Sequence, residues 1–486
     1  MTEIELKFQI PAQRHAAVLR AAATASAATS RLQAQYFDTP DRRLARAGVA
    51  LRLRQEDGVW VQTLKGRGDN GIRRIEHELR LDAGNGSPVL DPARHAGTEA
   101  GELLSAALGD KPGALRAIFA TDVMRTHRLI RSGGAVIELA FDVGRLIAGD
   151  ARQPLCELEF ELKSGPLAAL FALAERWALR HGLWLDVRSK AERGELLARG
   201  ESANPPRRAM PPALTGTMSA GAASRALVAA CLEQVLPNLS ALAADTGNAD
   251  HLHQARIGLR RLRTALTLFG TDALDPAWDA GVAALFSQMG SQRDQDALRA
   301  GLLPELIAAG APPELTLITA PTAAPSAGEL LRGTAHLPLL LQLLSFALGR
   351  DAAAAAAADT TIAVKRSAAT ALAALRRKLQ KAARRFDSMD DTERHQLRKR
   401  LKRLRYTIEL VSPLFDGKKL RRELTALRPA QDALGRYHDL CVAEALFRNQ
   451  AAADPRAWFA VGWLTASRNA QVAVTGLALK RAMKAV

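Results

Sequence analysis

Between Ile4 and Lys163 the chain alternates apolar and polar residues in short runs. Ile4–Phe8, Val49–Arg54, Val59–Lys65, Arg73–Leu81, Ala135–Val143 and Leu155–Lys163 each show the period of two that places successive side chains on opposite faces of a strand. Two stretches at helical spacing interrupt them, one after Pro11 and one from Pro166 to His181. Glu201–Gly216 holds two proline pairs and no apolar period, so it reads as a linker. Beyond it strand signals fade, and Ala, Leu and Arg recur three and four apart. The pattern predicts a strand-rich domain over 1–200, a linker over 201–217 and an all-α domain over 218–486.

An internal repeat organises the helical half. His253–Arg263 (HQARIGLRRLR) aligns without gaps on His395–Arg405 (HQLRKRLKRLR), identical at seven of eleven positions. A second related pair follows each copy, Met289–Asp296 and Leu434–Cys441. Duplication of a helical module explains both, with halves at about 218–345 and 360–486. The seven alanines Ala352–Ala358 are expected to be helical, since alanine is the best helix former.

Charge changes the picture of the strands. Glu3, Glu5 and Lys7 share one face of the first, opposite Ile4, Leu6 and Phe8. A single such face is ordinarily solvated, but the pattern recurs: Arg52 with Arg54; Arg74, Glu76, Glu78 and Arg80; Glu138 with Asp142; Glu157, Glu159, Glu161 and Lys163; and Lys65 ending its strand. Faces of both signs suit a closed sheet around a wet polar interior. A dry interior of this kind is costly. Guanidinium and ammonium groups match phosphate oxygens, and clustered carboxylates match a hard divalent cation such as Mg²⁺ or Mn²⁺.

These residues resemble the CYTH domain of the triphosphate tunnel metalloenzymes over roughly residues 1–200. The resemblance rests on E-x-E-x-K at Glu3–Lys7, YFDTPD at Tyr36–Asp41, GVALRLR at Gly48–Arg54, TLK at Thr63–Lys65 and ELEFELKSG at Glu157–Gly165. It implies an α+β chain opening with an antiparallel eight-stranded β-tunnel flanked by helices. In that tunnel Glu3, Glu5, Asp142, Glu157 and Glu159 would hold metal, and Arg52, Arg54, Lys65, Arg74, Arg125 and Lys190 would bind substrate. Glu5, Lys7 and Glu159 would be catalytic. Arg128, Glu76, Glu138 and Glu161 are further candidates. The G-x-G-x-x-G at Gly66–Gly71 precedes a strand-like run, so it reads as a hairpin loop and not a dinucleotide fingerprint.

On the repeated helices Leu252, Ala255, Leu259, Leu262, Leu266 and Phe269, and in the second copy Leu397, Leu401, Leu404, Ile408 and Val411, form core stripes. Beside them run His253, Arg256, Arg260 and Arg263, and His395, Arg398, Lys402 and Arg405. Like charges at this spacing repel by a few tenths of a kcal/mol per pair, and a linear polyanion would offset that. Net charge agrees: of +17, residues 1–200 carry +4 and 201–486 carry +13. This half resembles the CHAD domain, a helical domain with duplicated halves. That resemblance implies long-chain polyphosphate as partner, bound by these rows with Arg293 and His438. Arg293 stands where the second copy has His438, which argues against a histidine metal site. Aromatic residues are 5% of the chain and none interleaves the first basic row, so single-stranded nucleic acid is disfavoured.

The three cysteines are scattered, which fits a reducing compartment. The charged start MTEIELKF and the lack of an uninterrupted apolar run of about 18 residues predict a cytoplasmic protein without a membrane span, associated through its helical half with polyphosphate granules. The expected function is hydrolysis of tripolyphosphate to phosphate and pyrophosphate. The alternatives are a class IV-type adenylate cyclase and a non-catalytic polyphosphate scaffold.

Overall fold

The computed structural model describes residues 2–67, 73–81, 88–109, 114–269, 274–290, 301–312, 315, 325–349 and 361–486. Its N-terminal elements are β1 (Thr2–Gln9), α1 (His15–Ala22), β2 (Ala28–Asp38), α2 (Arg43–Ala47), β3 (Val49–Glu56), β4 (Val59–Arg67), β5 (Arg73–Leu81), α3 (Glu99–Leu108), β6 (Arg116–Ser132), β7 (Ala135–Ala148), β8 (Ala151–Ser164), α4 (Leu167–His181), β9 (Trp184–Leu185) and α5 (Lys190–Arg199). The strands pair antiparallel in the order β5-β4-β3-β2-β6-β7-β8-β1. Thr2–Ile4 of β1 then pair Arg73–Ile75 of β5 and close an eight-stranded barrel. The end of the same β1 edge takes the short β9.

This barrel is apolar outside and charged inside, except where the inward residues Leu32, Val123, Leu146 and Leu155 pack with Leu197 of α5. Leu6, Phe8, Leu158 and Phe160 are buried on the outer face, where Phe8 meets Phe160 edge-on at 5.9 Å and Phe160 meets Trp177 of α4 at 6.0 Å. On another side Leu44, Val49, Leu51 and Leu64 pack with Ala100, Leu104 and Leu108 of α3. Helices therefore supply the apolar partner that a barrel ordinarily finds in its interior.

Strands β2 and β6 were not among the predicted runs. Inward positions on β2 run through Ser30, Leu32, Ala34, Tyr36 and Asp38, polar at both ends, so its apolar alternation is confined to Leu32, Ala34 and Tyr36. Residues 68–72, which hold most of the G-x-G-x-x-G segment, and the alanine run Ala352–Ala358 lie outside the described residues.

Beyond residue 200 the described structure is helical. The repeat copies lie on the helices Ala249–Leu266 and Asp391–Val411. Leu259, Leu262, Leu397, Leu401, Leu404, Ile408 and Val411 are fully buried, as their stripes predict. Asp390 and Glu393 form a capping box that starts the second helix. Two compact units result: residues 1–207 with 233–254 and 328–349, and residues 208–232 with 255–327 and 350–486. The Pro-rich segment has no helix or strand but is pinned, for Asn238 bonds both the N–H and the carbonyl of Arg207. Among the described residues one helix, Ala220–Ala243, is long and apolar enough to cross a membrane, yet 83% of its most apolar window is buried inside the protein, as in a core helix.

Gly144 of β7 marks a close approach to β6, its partner being Val123. A Cβ there would lie 2.1 Å from the Asp122 carbonyl oxygen and 2.7 Å from Val123 Cα, both backbone atoms with nowhere to swing. Gly144→Ala is therefore expected to destabilise the barrel by about 1–3 kcal/mol, read as a lowered urea midpoint. A parent-like midpoint would mean that β6 and β7 can part at no cost.

Candidate active site

The barrel encloses a cavity of about 630 Å³ lined by Glu3, Glu5, Lys7, Arg52, Arg54, Lys65, Arg74, Glu76, Arg125, Asp142, Glu159 and Lys190, among others. Every expected substrate-binding residue lines it. Of the expected metal ligands, Glu157 alone is outside the lining. It is fully buried, bonded to Lys190 at 2.5 Å and to Arg193 at 3.1 Å. Arg128 faces the other way and donates to the Ala21 carbonyl at 3.2 Å. Inward positions on β6 are odd-numbered, running through Thr121, Val123, Arg125 and His127, so an even-numbered residue cannot join them.

Two charge groups share the cavity. In the first, the oxygens of Asp142, Glu157 and Glu159 lie within 4.8 Å of one another, close enough to hold a metal ion. Lys190 Nζ stands among all three at 2.7, 2.5 and 2.8 Å. Arg125 forks onto Asp142 at 2.7 and 2.6 Å and reaches Glu159 at 2.6 Å. Burial works against the Lys190 ammonium, but the three carboxylates outweigh it and hold its pKa well above the usual lysine range. Burial likewise opposes ionised Glu159, and Lys190, Lys7 and Arg125 together hold it well below the usual carboxylate range.

The second group is richer in acid. Register sets Glu161 opposite both Glu5 and Glu138. Lys163 reaches Glu161 at 2.7 Å and Glu138 at 2.9 Å, Lys65 reaches Glu3 at 2.8 Å and Glu76 at 3.1 Å, and Lys7 reaches Glu5 at 3.1 Å. Burial nevertheless pushes the Glu161 carboxyl up to about 7, against Lys163 and with Glu3 and Glu138 adding to the push. Negative charge is least compensated here, so these oxygens fit a divalent cation better than the group already holding Lys190.

The facing wall keeps guanidinium N–H groups in reserve. Arg52 Nη1 donates to the Tyr36 hydroxyl at 3.2 Å, and Arg54 Nη2 to Glu78 at 3.0 Å. The Nε atoms of both are buried with no hydrogen-bond partner among the described residues. Buried N–H groups are rarely left so unless a ligand or water completes them. Helix α5 brings the cations Lys190 and Arg193 to the acidic wall. It starts because Ser189 accepts from Glu192 N at 3.0 Å and ends at left-handed Gly200. Arg193 was not expected, although its place three residues after Lys190 puts both on one helix face.

On the repeated helices the basic rows are half-buried, with Arg256 buried, and partly engaged. Arg256 Nη1 donates to the carbonyls of Met289 and Gly290 at 3.1 and 2.8 Å, Arg263 pairs with Asp279 at 2.8 Å, and Arg405 bonds Gln431 at 2.5 Å and Glu409 at 3.2 Å. Arg256 and Arg260 stack over Phe286, each at 4.6 Å. His395 and His438 face each other Nδ1 to Nδ1 at 3.2 Å. Burial, with Arg260 and Arg398 nearby, drives the Lys402 ammonium down to about 6. Burial with Arg398 and His395 drives His438 down to about 3. A concentrated positive field acts on these three groups. His253 is half-buried, and Arg293 lies outside the described residues.

Comparison with known proteins adds family to geometry. A CYTH domain model matches residues 1–194 and a CHAD domain model matches residues 226–448. The chain is 38% identical over 165 residues to an inorganic triphosphatase of Haemophilus influenzae, a match covering 33% of this chain and 44% of that protein. The chain thus matches less than half the length of that curated relative. Among solved structures, the CHAD domain from the plant Ricinus communis is 28% identical with a TM-score of 0.44, covering 57% of this chain and 97% of that one. An adenylyl cyclase candidate from Hippeastrum, described as revealing a dominant triphosphatase activity, is 20% identical with a TM-score of 0.30, covering 41% and 96%.

Glu161 gives a pH test in metal-free protein. Its folded pKa of about 7 exceeds the ordinary 4.5, so its stabilising contribution is full below 4.5 and is lost as pH rises toward 7. Glu161→Gln should flatten that part of the stability profile and leave the variant more stable than the parent at pH 8. Parallel profiles from pH 4 to 8 in thermal unfolding would show that Glu161 is not raised.

Proposed function

The chain joins a CYTH domain to a CHAD domain, and on that premise we propose that it is a metal-dependent inorganic triphosphatase hydrolysing tripolyphosphate to phosphate and pyrophosphate, with a helical domain that binds long-chain polyphosphate. One observation carries the reading: a closed channel lined with both signs of charge, in which the Nε–H groups of Arg52 and Arg54 are buried with no partner among the described residues. Triphosphate with a divalent cation complements both walls at once.

In this reading Glu3 and Glu5, with Glu138 and Glu161 opposite, hold the cation, and Glu159 stands between the two groups. When bound, Mg²⁺ or Mn²⁺ neutralises phosphate charge and polarises the phosphoryl group. Asp142, Glu157 and Glu159 hold Lys190 and Arg125 at the cavity, and Lys190 meets a phosphate oxygen by exchanging one of its three carboxylate partners for it. Lys7, Arg52, Arg54, Lys65 and Arg74 complete the ring that stabilises charge on the transferring group. Glu5 stands beside Lys7 at 3.1 Å and is the carboxylate we assign to orienting the attacking water.

Release of phosphate from tripolyphosphate, supplied with each metal in turn, tests the proposal. Glu5→Gln should lower turnover at least a hundredfold, on the order expected for losing a preorganised charged group, while circular dichroism stays unchanged. Parent-like turnover would remove Glu5 from the mechanism.

For the helical domain, Arg260→Ala with Lys402→Ala should weaken long-chain polyphosphate binding by the full chain and flatten its salt dependence. Affinity in the parent should rise as pH falls through about 6, where Lys402 gains its proton. Binding indifferent to both changes would place the polyanion elsewhere.

A further inference from the structure

Arg42 sits where a side chain is costly. Its φ of 58° and ψ of 44° fall in the left-handed region, which residues other than glycine, asparagine and aspartate seldom occupy. The surrounding turn leaves it little choice. Arg42 N donates to the Thr39 carbonyl at 2.9 Å, and the buried Asp38 carboxylate accepts from the N–H groups of Thr39, Leu44 and Ala45 at 2.7, 2.9 and 2.9 Å. Over-determined strain of this sort is characteristic of functional positions.

What the strain achieves is aim. The side chain of Arg42 lines the tunnel cavity with Asp38, Glu192, Glu195 and Asn204. Its Nη1 is closed off from solvent with no hydrogen-bond partner among the described residues. Glu195 is 4.0 Å away, beyond hydrogen-bonding reach, and pairs with Arg199 at 3.1 Å. The other carboxylates here are engaged as well. Asp38 serves three backbone donors, and Glu192 accepts from Asn204 at 2.7 Å.

Position then decides what Arg42 can meet. Tyr36 marks the level of Arg52, and β2 shifts register between Tyr36 and Phe37, so that Tyr36, Phe37 and Asp38 all line the cavity. Glu195, 4.0 Å from Arg42, lies five residues beyond Lys190 on α5, about 7 Å along the helix axis, so Arg42 reaches the cavity further from Lys190 than the spacing of adjacent phosphates in a linear chain. We propose that Arg42 is a specificity-determining substrate contact that binds a phosphate beyond the three gripped by Arg52, Arg54, Lys65 and Lys190, extending the substrate class to linear polyphosphates of four or more units. The inference rests on the triphosphatase reading and adds a length preference to it.

The test compares Arg42→Gly and Arg42→Ala with the parent on tripolyphosphate and tetrapolyphosphate, all in full-length protein carrying Arg260→Ala and Lys402→Ala to silence the helical domain. Glycine relieves the left-handed strain and alanine keeps it, so a loss common to both reports the missing guanidinium. The expected kcat/KM for tetrapolyphosphate falls on the order of tenfold to a hundredfold, as for one charge-assisted hydrogen bond, and that for tripolyphosphate falls far less. Equal losses on both substrates, or none on either, overturn the proposal. Should the parent cleave neither anion, the triphosphatase reading fails, and calorimetric binding of the same two anions decides Arg42 by itself. Selective loss of tetrapolyphosphate affinity then sustains its role, and unchanged affinity removes it.

Discussion

Charge compensation inside a closed sheet governs the N-terminal half. Strand alternation gives each strand one face for the interior, and here that face carries Glu, Asp, Lys and Arg. Such groups can be enclosed only if each finds an opposite charge or an ionic guest, because desolvation otherwise exceeds the attraction. The protein settles part of this debt internally, by threading Lys190 among three carboxylates and forking Arg125 onto Asp142. Elsewhere it leaves a surplus of acid around Glu161 and spare guanidinium donors on Arg52 and Arg54. Complementary surpluses on facing walls are what turn a polar barrel into a site.

The same constraint moves the apolar core outward. With the interior taken by charge, Leu6, Phe8, Phe160, Leu51 and Leu64 must be covered from outside, and α1, α3 and α4 are the cover. Helix α5 differs, since it sends Lys190 and Arg193 to the acidic wall and belongs to the site as much as to the scaffold.

Much of this was legible in the sequence because charge was written at strand period. Glu3, Glu5 and Lys7, the arginines of β3 and the glutamates of β8 declare a common face by alternation alone, and the structure brings those faces together. β6 stayed hidden because inward residues such as Thr121 and outward ones such as Ala120 and Met124 show no contrast, and β2 because its alternation is confined to Leu32, Ala34 and Tyr36 between polar ends. Arg128 misled because register is invisible until partners are known, and one residue of slip exchanges inside for outside. In the helical repeats the core stripes were buried as expected except at Phe269, which lies past the helix end and is half-buried, but the basic rows looked more available than they are. Backbone carbonyls, Asp279 and Glu409 that occupy Arg256, Arg263 and Arg405 come from segments distant in sequence or on another turn.

The seam that closes the barrel joins the two ends of the domain. β1 pairs with β8 through Glu5 and Glu161, and with β5 through Glu3 and Arg74. Bringing together strands so far apart along the chain carries a large loop-closure entropy, and such non-local pairing is slow to form. During synthesis, β1 must therefore wait, half its hydrogen bonds unmade, until β8 has left the ribosome. Its charged inward face lowers the hazard of that delay, because an unpaired strand edged with glutamate and lysine is a poor template for aggregation. The residues that would bind substrate also act as gatekeepers for an exposed strand while the barrel is still open.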